Sequence, residues 1–102
     1  MVRMKFAAII EYTPDGSKIT AARPPHRAYL AEIKKAGKLV VAGPFTDMTG
    51  GLIVYEAESV EEAEMLIRAD PFFTKGVFVK WTIRPWNPVM TNRELLPENP
   101  PA

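Results

Sequence analysis

Asp70 and His26 are the residues whose types and settings point to proton-transfer chemistry. Asp70 stands in Ala69-Asp70-Pro71-Phe72-Phe73, where a helical pattern stops on a carboxylate. The last turn of a helix carries partial negative charge and favours Lys, Arg or His over Asp. Pro71 disfavours the α region for Asp70 and sets its backbone extended, so the side chain is aimed as well as placed. His26 is the single histidine of the chain. It precedes Leu30 and Ile33 at helical spacing and falls at the edge of an apolar stripe, in the first turn of another expected helix. If the two side chains meet, the carboxylate fixes the imidazole tautomer and leaves the other ring nitrogen free to move a proton to or from a substrate. The plain alternatives are a solvated Asp-Pro stop signal and a core-edge histidine bonded to a loop carbonyl.

Four further residues are candidate substrate contacts. Arg23, shortly before His26, could hold an anionic or phenolic oxygen, against the alternative of a solvated surface arginine. Gly43 and Pro44 interrupt an apolar run, which suits a strand end where another group approaches the backbone closely. Phe72, with Phe45, Phe73 and Trp81, could wall a pocket for a flat organic molecule, although aromatic side chains in such settings more often form core. The same alternatives apply to Tyr12 and Tyr55. Ser17 falls in a loop and Ser59 serves as a helix cap, so a serine nucleophile has little support. With one histidine and no cysteine, a histidine-rich or thiolate metal site is not expected. Gly50-Gly51 has no helix pattern after it, no phosphate-binding loop occurs, and any chemistry is expected to need no cofactor.

The elements that must position these groups can be taken in order. Met4–Tyr12 is a nearly unbroken apolar run, read as a strand buried on both faces. Thr13 to about Ala22 reads as an irregular segment able to act as a flap. Pro24 and Pro25 preset a first helical turn, and Tyr29, Leu30, Ile33 and Ala36 recur at helical spacing up to a Gly37 cap. Leu39–Phe45 and Leu52–Ala57 read as an antiparallel hairpin. Ser59-Val60-Glu61-Glu62 is a capping box that opens a second helix, ending at Asp70-Pro71. Val77 to Arg84 alternates as a fourth strand, which stops at Pro85-Trp86.

Length and composition set the frame. A chain of 102 residues, 47% hydrophobic and 25% charged, supports one compact domain, expected over residues 1–86, with a proline-rich tail over 87–102 as an extended arm or disordered end. The net charge of +1 comes with interspersed signs and no basic stripe, so no nucleic-acid partner is expected. The apolar run near the N-terminus is cut by Glu11, too early for a signal segment or a membrane span; no membrane association and a cytoplasmic location are expected.

The order β-α-β-β-α-β is that of the α+β ferredoxin-like sandwich, with both helices on one face of a four-stranded sheet. The other face also carries apolar residues. A second copy of the same sheet is the simplest cover, giving a homodimer, with a higher oligomer left open.

At this point the chain resembles the YCII-like (YciI) family of small dimeric α+β-barrel proteins. The resemblance rests on Arg23, His26 and Tyr29-Leu30, on Gly37 and Ala42-Gly43-Pro44, on the helix start from Ser59 to Ala63, and on Asp70-Pro71-Phe72 with Gly76-Val77. It implies that His26 and Asp70 form the family's proposed active-site pair. One branch of the family looks like a dehydrochlorinase of a chlorinated hydroxyhydroquinone. The resemblance carries over the pair and not that reaction. With His26 as proton-transfer residue and Asp70 as its orienter, the expected activity is that of a cofactor-free lyase, isomerase or dehydrohalogenase with a small cyclic or aromatic ligand. A ligand-binding module without catalysis, or a structural dimer whose His–Asp pair is a buried tie, are the alternatives.

Overall fold

The computed structural model describes residues 3–98. Strand β1 (Met4–Tyr12) leads into helix α1 (Gly16–Lys35), strands β2 (Leu39–Pro44) and β3 (Gly50–Ala57), helix α2 (Val60–Arg68), the short helix α3 (Pro71–Thr74) and strand β4 (Phe78–Trp86). The strands form one sheet in the order β2-β3-β1-β4, with every neighbouring pair antiparallel. This is the ferredoxin-like α+β arrangement expected from the element order.

Period-two alternation decides which side chains meet the helices. Phe6, Ala8, Ile10 and Tyr12 of β1 are buried, and the register sets Phe6 against Tyr55 and Ala8 against Ile53 on the same face. Ile19, Ala22 and Ile33 of α1, Ala63 and Ile67 of α2, and Val77 and Phe78 close the core over them. The expectation that β1 is buried on both faces is corrected within the single chain. On the face away from the helices Val54 is buried and Leu52 half-buried, but Ile9 is 48% exposed.

The expectation of an irregular flap up to Ala22 is overturned, because α1 begins at Gly16. Asp15 caps it, accepting the backbone N–H groups of Ser17 at 3.0 Å and Lys18 at 3.3 Å. The Ser17 hydroxyl and the Lys18 N–H hold the Asp15 carboxyl below the usual carboxylate range. Pro24 and Pro25 therefore lie inside the helix, where each removes an N–H donor that the ladder would use. Ile19 and Ala22 before the prolines continue the buried stripe of His26 and Ile33 after them, so tertiary burial overrides the local breaker. At the far end Gly37 takes a φ of 77°. Its N–H bonds to the Lys34 carbonyl at 3.0 Å, and the Lys38 N–H bonds to Ile33 at 2.8 Å. These are the two bonds of a glycine-terminated helix end.

Ser59 caps α2 as expected, accepting the Glu62 N–H at 3.1 Å. Glu62 reaches back to the Glu58 N–H at 2.8 Å, one residue further than a reciprocal box requires. After Trp86 the chain runs largely exposed, Pro88 alone being half-buried among the described residues, through one 3-10 turn at Arg93–Leu95, and Glu98 forms an ion pair with Lys34. The remainder of the expected tail, 99–102, lies outside the described residues.

Candidate active site

Asp70 is not on the last turn of a helix, which corrects the sequence expectation. α2 ends at Arg68, and Asp70 is the N-cap of α3 with Pro71 in the first turn. Its backbone is extended, with φ −71° and ψ 133°, and its Oδ1 accepts the Phe72 N–H at 2.8 Å. A carboxylate is favoured at a helix start, so its placement is locally supported. It is fully buried.

His26 sits mid-way along α1 rather than in a first turn, again because α1 starts at Gly16. α1 packs against α3, and the His26 Nδ1 lies 2.7 Å from Asp70 Oδ1 and 2.9 Å from Oδ2. A carboxylate only accepts, so Nδ1 carries the proton and donates. In the neutral ring Nε2 is then the unprotonated nitrogen, and among the described residues it bonds no protein group. The imidazole is stacked on Phe72 with ring centroids 3.7 Å apart and planes 4° apart.

A cleft of about 270 Å³, counting its open mouth, borders this imidazole. His26, Arg23, Pro44 and Phe72 line it together with Tyr12, Ile19, Arg27 and Met48. Of the sequence candidates, Asp70 stands behind His26, and Gly43 is exposed on β2 outside the lining. Phe73 and Trp81 pack edge to face at 5.5 Å, with the Arg68 guanidinium 5.4 Å and 5.2 Å from their rings. Phe45 borders a separate hollow shared with Ile9 and Thr82.

Arg27, Ile19 and Met48 were not legible as site residues. Arg27 and Ile19 become so once α1 is begun at Asp15, since Arg23 and Arg27 are one turn apart and Ile19 precedes both on the same helix. Met48 belongs to the β2–β3 connection and has a φ of 65°. The adjoining turn is tied by Asp47, which accepts the Thr49 N–H at 3.0 Å and hydroxyl at 2.7 Å.

The cleft has a cationic lining. Arg23 and Arg27 line it and no carboxylate does, an arrangement that favours an anionic or electron-rich oxygen. Burial pushes the Tyr12 phenol up to about 12, with the Asp70 charge adding to the effect and Arg23 opposing it. Among the described residues no group of three His, Cys, Asp or Glu side chains is arranged to hold a metal ion. No described helix is long and apolar enough to cross a membrane.

The family described as YCII-related domain matches residues 4–87. The chain belongs to that family. This YCII-related chain is 39% identical to an uncharacterised Bacillus subtilis protein, YjpA, over 60% of its own length and 71% of the relative. It is 30% identical to the YciI protein of Escherichia coli O6:H1, covering 71% of this chain and 84% of the other. Among solved structures it is similar to TftG of Burkholderia phenoliruptrix AC1100, a 5-chloro-2-hydroxyhydroquinone dehydrochlorinase in complex with 2,5-dihydroxybenzoquinone. The TM-score is 0.71 at 30% identity, over 82% of this chain and 94% of that one.

Proposed function

We propose that this YCII-related protein is a small-molecule enzyme that moves a proton on an oxygenated ring compound, with His26 as acid/base and Asp70 as its positioning partner. The observation that carries the reading is the buried Nδ1–Asp70 bond, which leaves Nε2 as the lone-pair nitrogen of a residue lining the cleft. The similarity to a dehydrochlorinase with a bound dihydroxyquinone supports a ring substrate of this size and polarity. In an elimination from a chlorinated ring phenol, one O–H proton first moves to the chlorine-bearing carbon, giving the keto form in which that carbon is tetrahedral. Nε2 then takes a second ring O–H proton, its bonding pair forms a C=O, and the ring double bond shifts towards the tetrahedral carbon. The halide leaves with the C–Cl bonding pair, and the imidazolium returns its proton to water. An isomerisation needs the same proton removal followed by return at a second ring position. Neither step calls on a cofactor.

A homodimer and a cytoplasmic setting belong to the same reading. The two main helices cover one face of the sheet, while Ile9 on the other is 48% exposed, and a second copy supplies a matching apolar layer.

The test is chloride release from 5-chloro-2-hydroxyhydroquinone by wild type and by His26→Gln. Wild type is expected to exceed the uncatalysed rate, and the variant to lose that excess by about 100-fold or more. Equal rates in the two proteins overturn the acid/base role of His26. Binding of 2,5-dihydroxybenzoquinone without turnover in either protein marks a binding module instead.

A further inference from the structure

Tyr12 ends β1 where the pairing with β4 shifts register, between Glu11 and Tyr12. Irregularities of this kind re-aim a side chain and occur beside active sites. The ring packs edge-on against Phe72 at 5.5 Å and stacks on Phe78 at 5.9 Å. Its hydroxyl passes over Gly51, where an added Cβ would come within 2.6 Å of the phenol oxygen and 3.0 Å of the Gly43 carbonyl oxygen. The absence of a side chain at Gly51 thus makes room for this oxygen.

The hydroxyl so positioned has no protein partner among the described residues, yet it is not sealed in the core as the Tyr55 hydroxyl is. Tyr12 borders the same cleft as His26 and Arg23. Burial keeps the phenol protonated far above neutral pH, so it is available as an O–H donor. A rigid, unpartnered donor at the edge of a cationic cleft calls for an acceptor from outside the protein.

We propose that the Tyr12 hydroxyl donates a hydrogen bond to a ring oxygen of the substrate, a phenolate, enolate or quinone oxygen shared with the Arg23 guanidinium. The inference rests on the proposed ring-substrate reading and assigns the residue that recognises the oxygen. Negative charge gathers on that oxygen as Nε2 removes the ring proton, and a fixed donor there acts where charge develops.

The experiment is calorimetric titration of 2,5-dihydroxybenzoquinone into wild type, Tyr12→Phe and Arg23→Gln, with the 15N signals of the single histidine recorded for each. Phenylalanine keeps the ring packing and removes the donor alone. The expected result is about 10-fold or greater weakening in Tyr12→Phe, with the His26 signals unchanged, so that the loss belongs to the donor and not to a disturbed site. Binding within twofold of wild type in Tyr12→Phe overturns the inference and leaves the proposed function standing. Weakening in Arg23→Gln alone does the same, assigning the oxygen to the arginine. No saturable binding by wild type overturns the inference together with the ring-ligand reading on which it rests.

Discussion

The imidazole of His26 lies flat on the ring of Phe72, 3.7 Å between centroids and 4° between planes. Phe72 also donates its backbone N–H to the Asp70 carboxylate that holds the imidazole. One residue therefore sets the plane of the histidine through its ring and the position of the carboxylate through its backbone. The imidazole keeps rotation about its ring bond restricted on one face by the stack and at one nitrogen by the carboxylate. What remains open is Nε2, the nitrogen a proton-transfer step needs.

Asp70→Asn tests that constraint. With the amide oxygen kept on the Phe72 N–H, the amide nitrogen takes the Oδ2 position, 2.9 Å from Nδ1 in wild type, where its N–H favours a lone pair at Nδ1 and competes with the Nδ1–H tautomer that the carboxylate holds. We expect the 15N pattern of the histidine to exchange its protonated and unprotonated nitrogens between wild type and variant. Any turnover dependent on His26 should fall by about 100- to 10,000-fold with little change in substrate affinity. An unchanged tautomer with unchanged turnover would show that the Asp70 charge does not set the proton-transfer state of His26.

The order of the main elements along the chain and most strand limits were legible because apolar runs bounded by Gly and Pro read the same way in sequence and in space. Met4–Tyr12 is the clearest case, with the expected limits matching the strand. The site was legible as residue types more than as geometry. Pro24-Pro25 reads as a helix start, and only the burial of Ile19 and Ala22 beyond it shows that the helix runs on towards Asp15. Asp70-Pro71 reads as a helix end, while the structure uses it to begin a four-residue helix too short to carry a period of its own. Both errors moved helix termini, and with them the place of His26 along its helix and the local field assigned to Asp70. The contacts of Tyr12, Arg27 and Met48 depend on a strand end, a helix face and a loop meeting in space, which no local pattern encodes.

Tyr55 offers a stability test separate from the site. Its side chain is fully buried and its hydroxyl has no hydrogen-bond partner among the described residues. A buried polar group without a partner carries a desolvation cost, and removing it leaves the ring packing in place. We expect Tyr55→Phe to be more stable than wild type by about 1 kcal/mol in urea unfolding. A loss of similar size would show that the hydroxyl has a partner in solution.

Alkaline pH should weaken the fold in a defined window. Burial raises the phenols of Tyr12 and Tyr29 to about 12 from an ordinary value of 10.0. Because the folded state holds these protons more tightly, their contribution is fully present below pH 10 and is lost as pH rises towards 12. Each group steepens the fall by at most about 1.4 kcal/mol per pH unit. Unfolding curves across this range should therefore be shallower in pH dependence for Tyr12→Phe than for wild type, whereas lysine deprotonation affects both alike. Parallel curves would show that the Tyr12 phenol ionises equally in the folded and unfolded chain.

The open sheet face carries the prediction on assembly. Ile9 pairs with Leu52 on β3 and Thr82 on β4, so its side chain stands among the inner strands and not at an edge. Its 48% exposure means that a charge placed there meets water in a single chain but is forced into an apolar layer when two sheets pack. Wild type at micromolar concentration should sediment at twice the 11.4 kDa chain mass. Ile9→Glu should sediment as a folded single chain, with its circular dichroism spectrum unchanged. A single-chain mass for wild type would remove the dimer, and a variant that remains double would place the interface on another face.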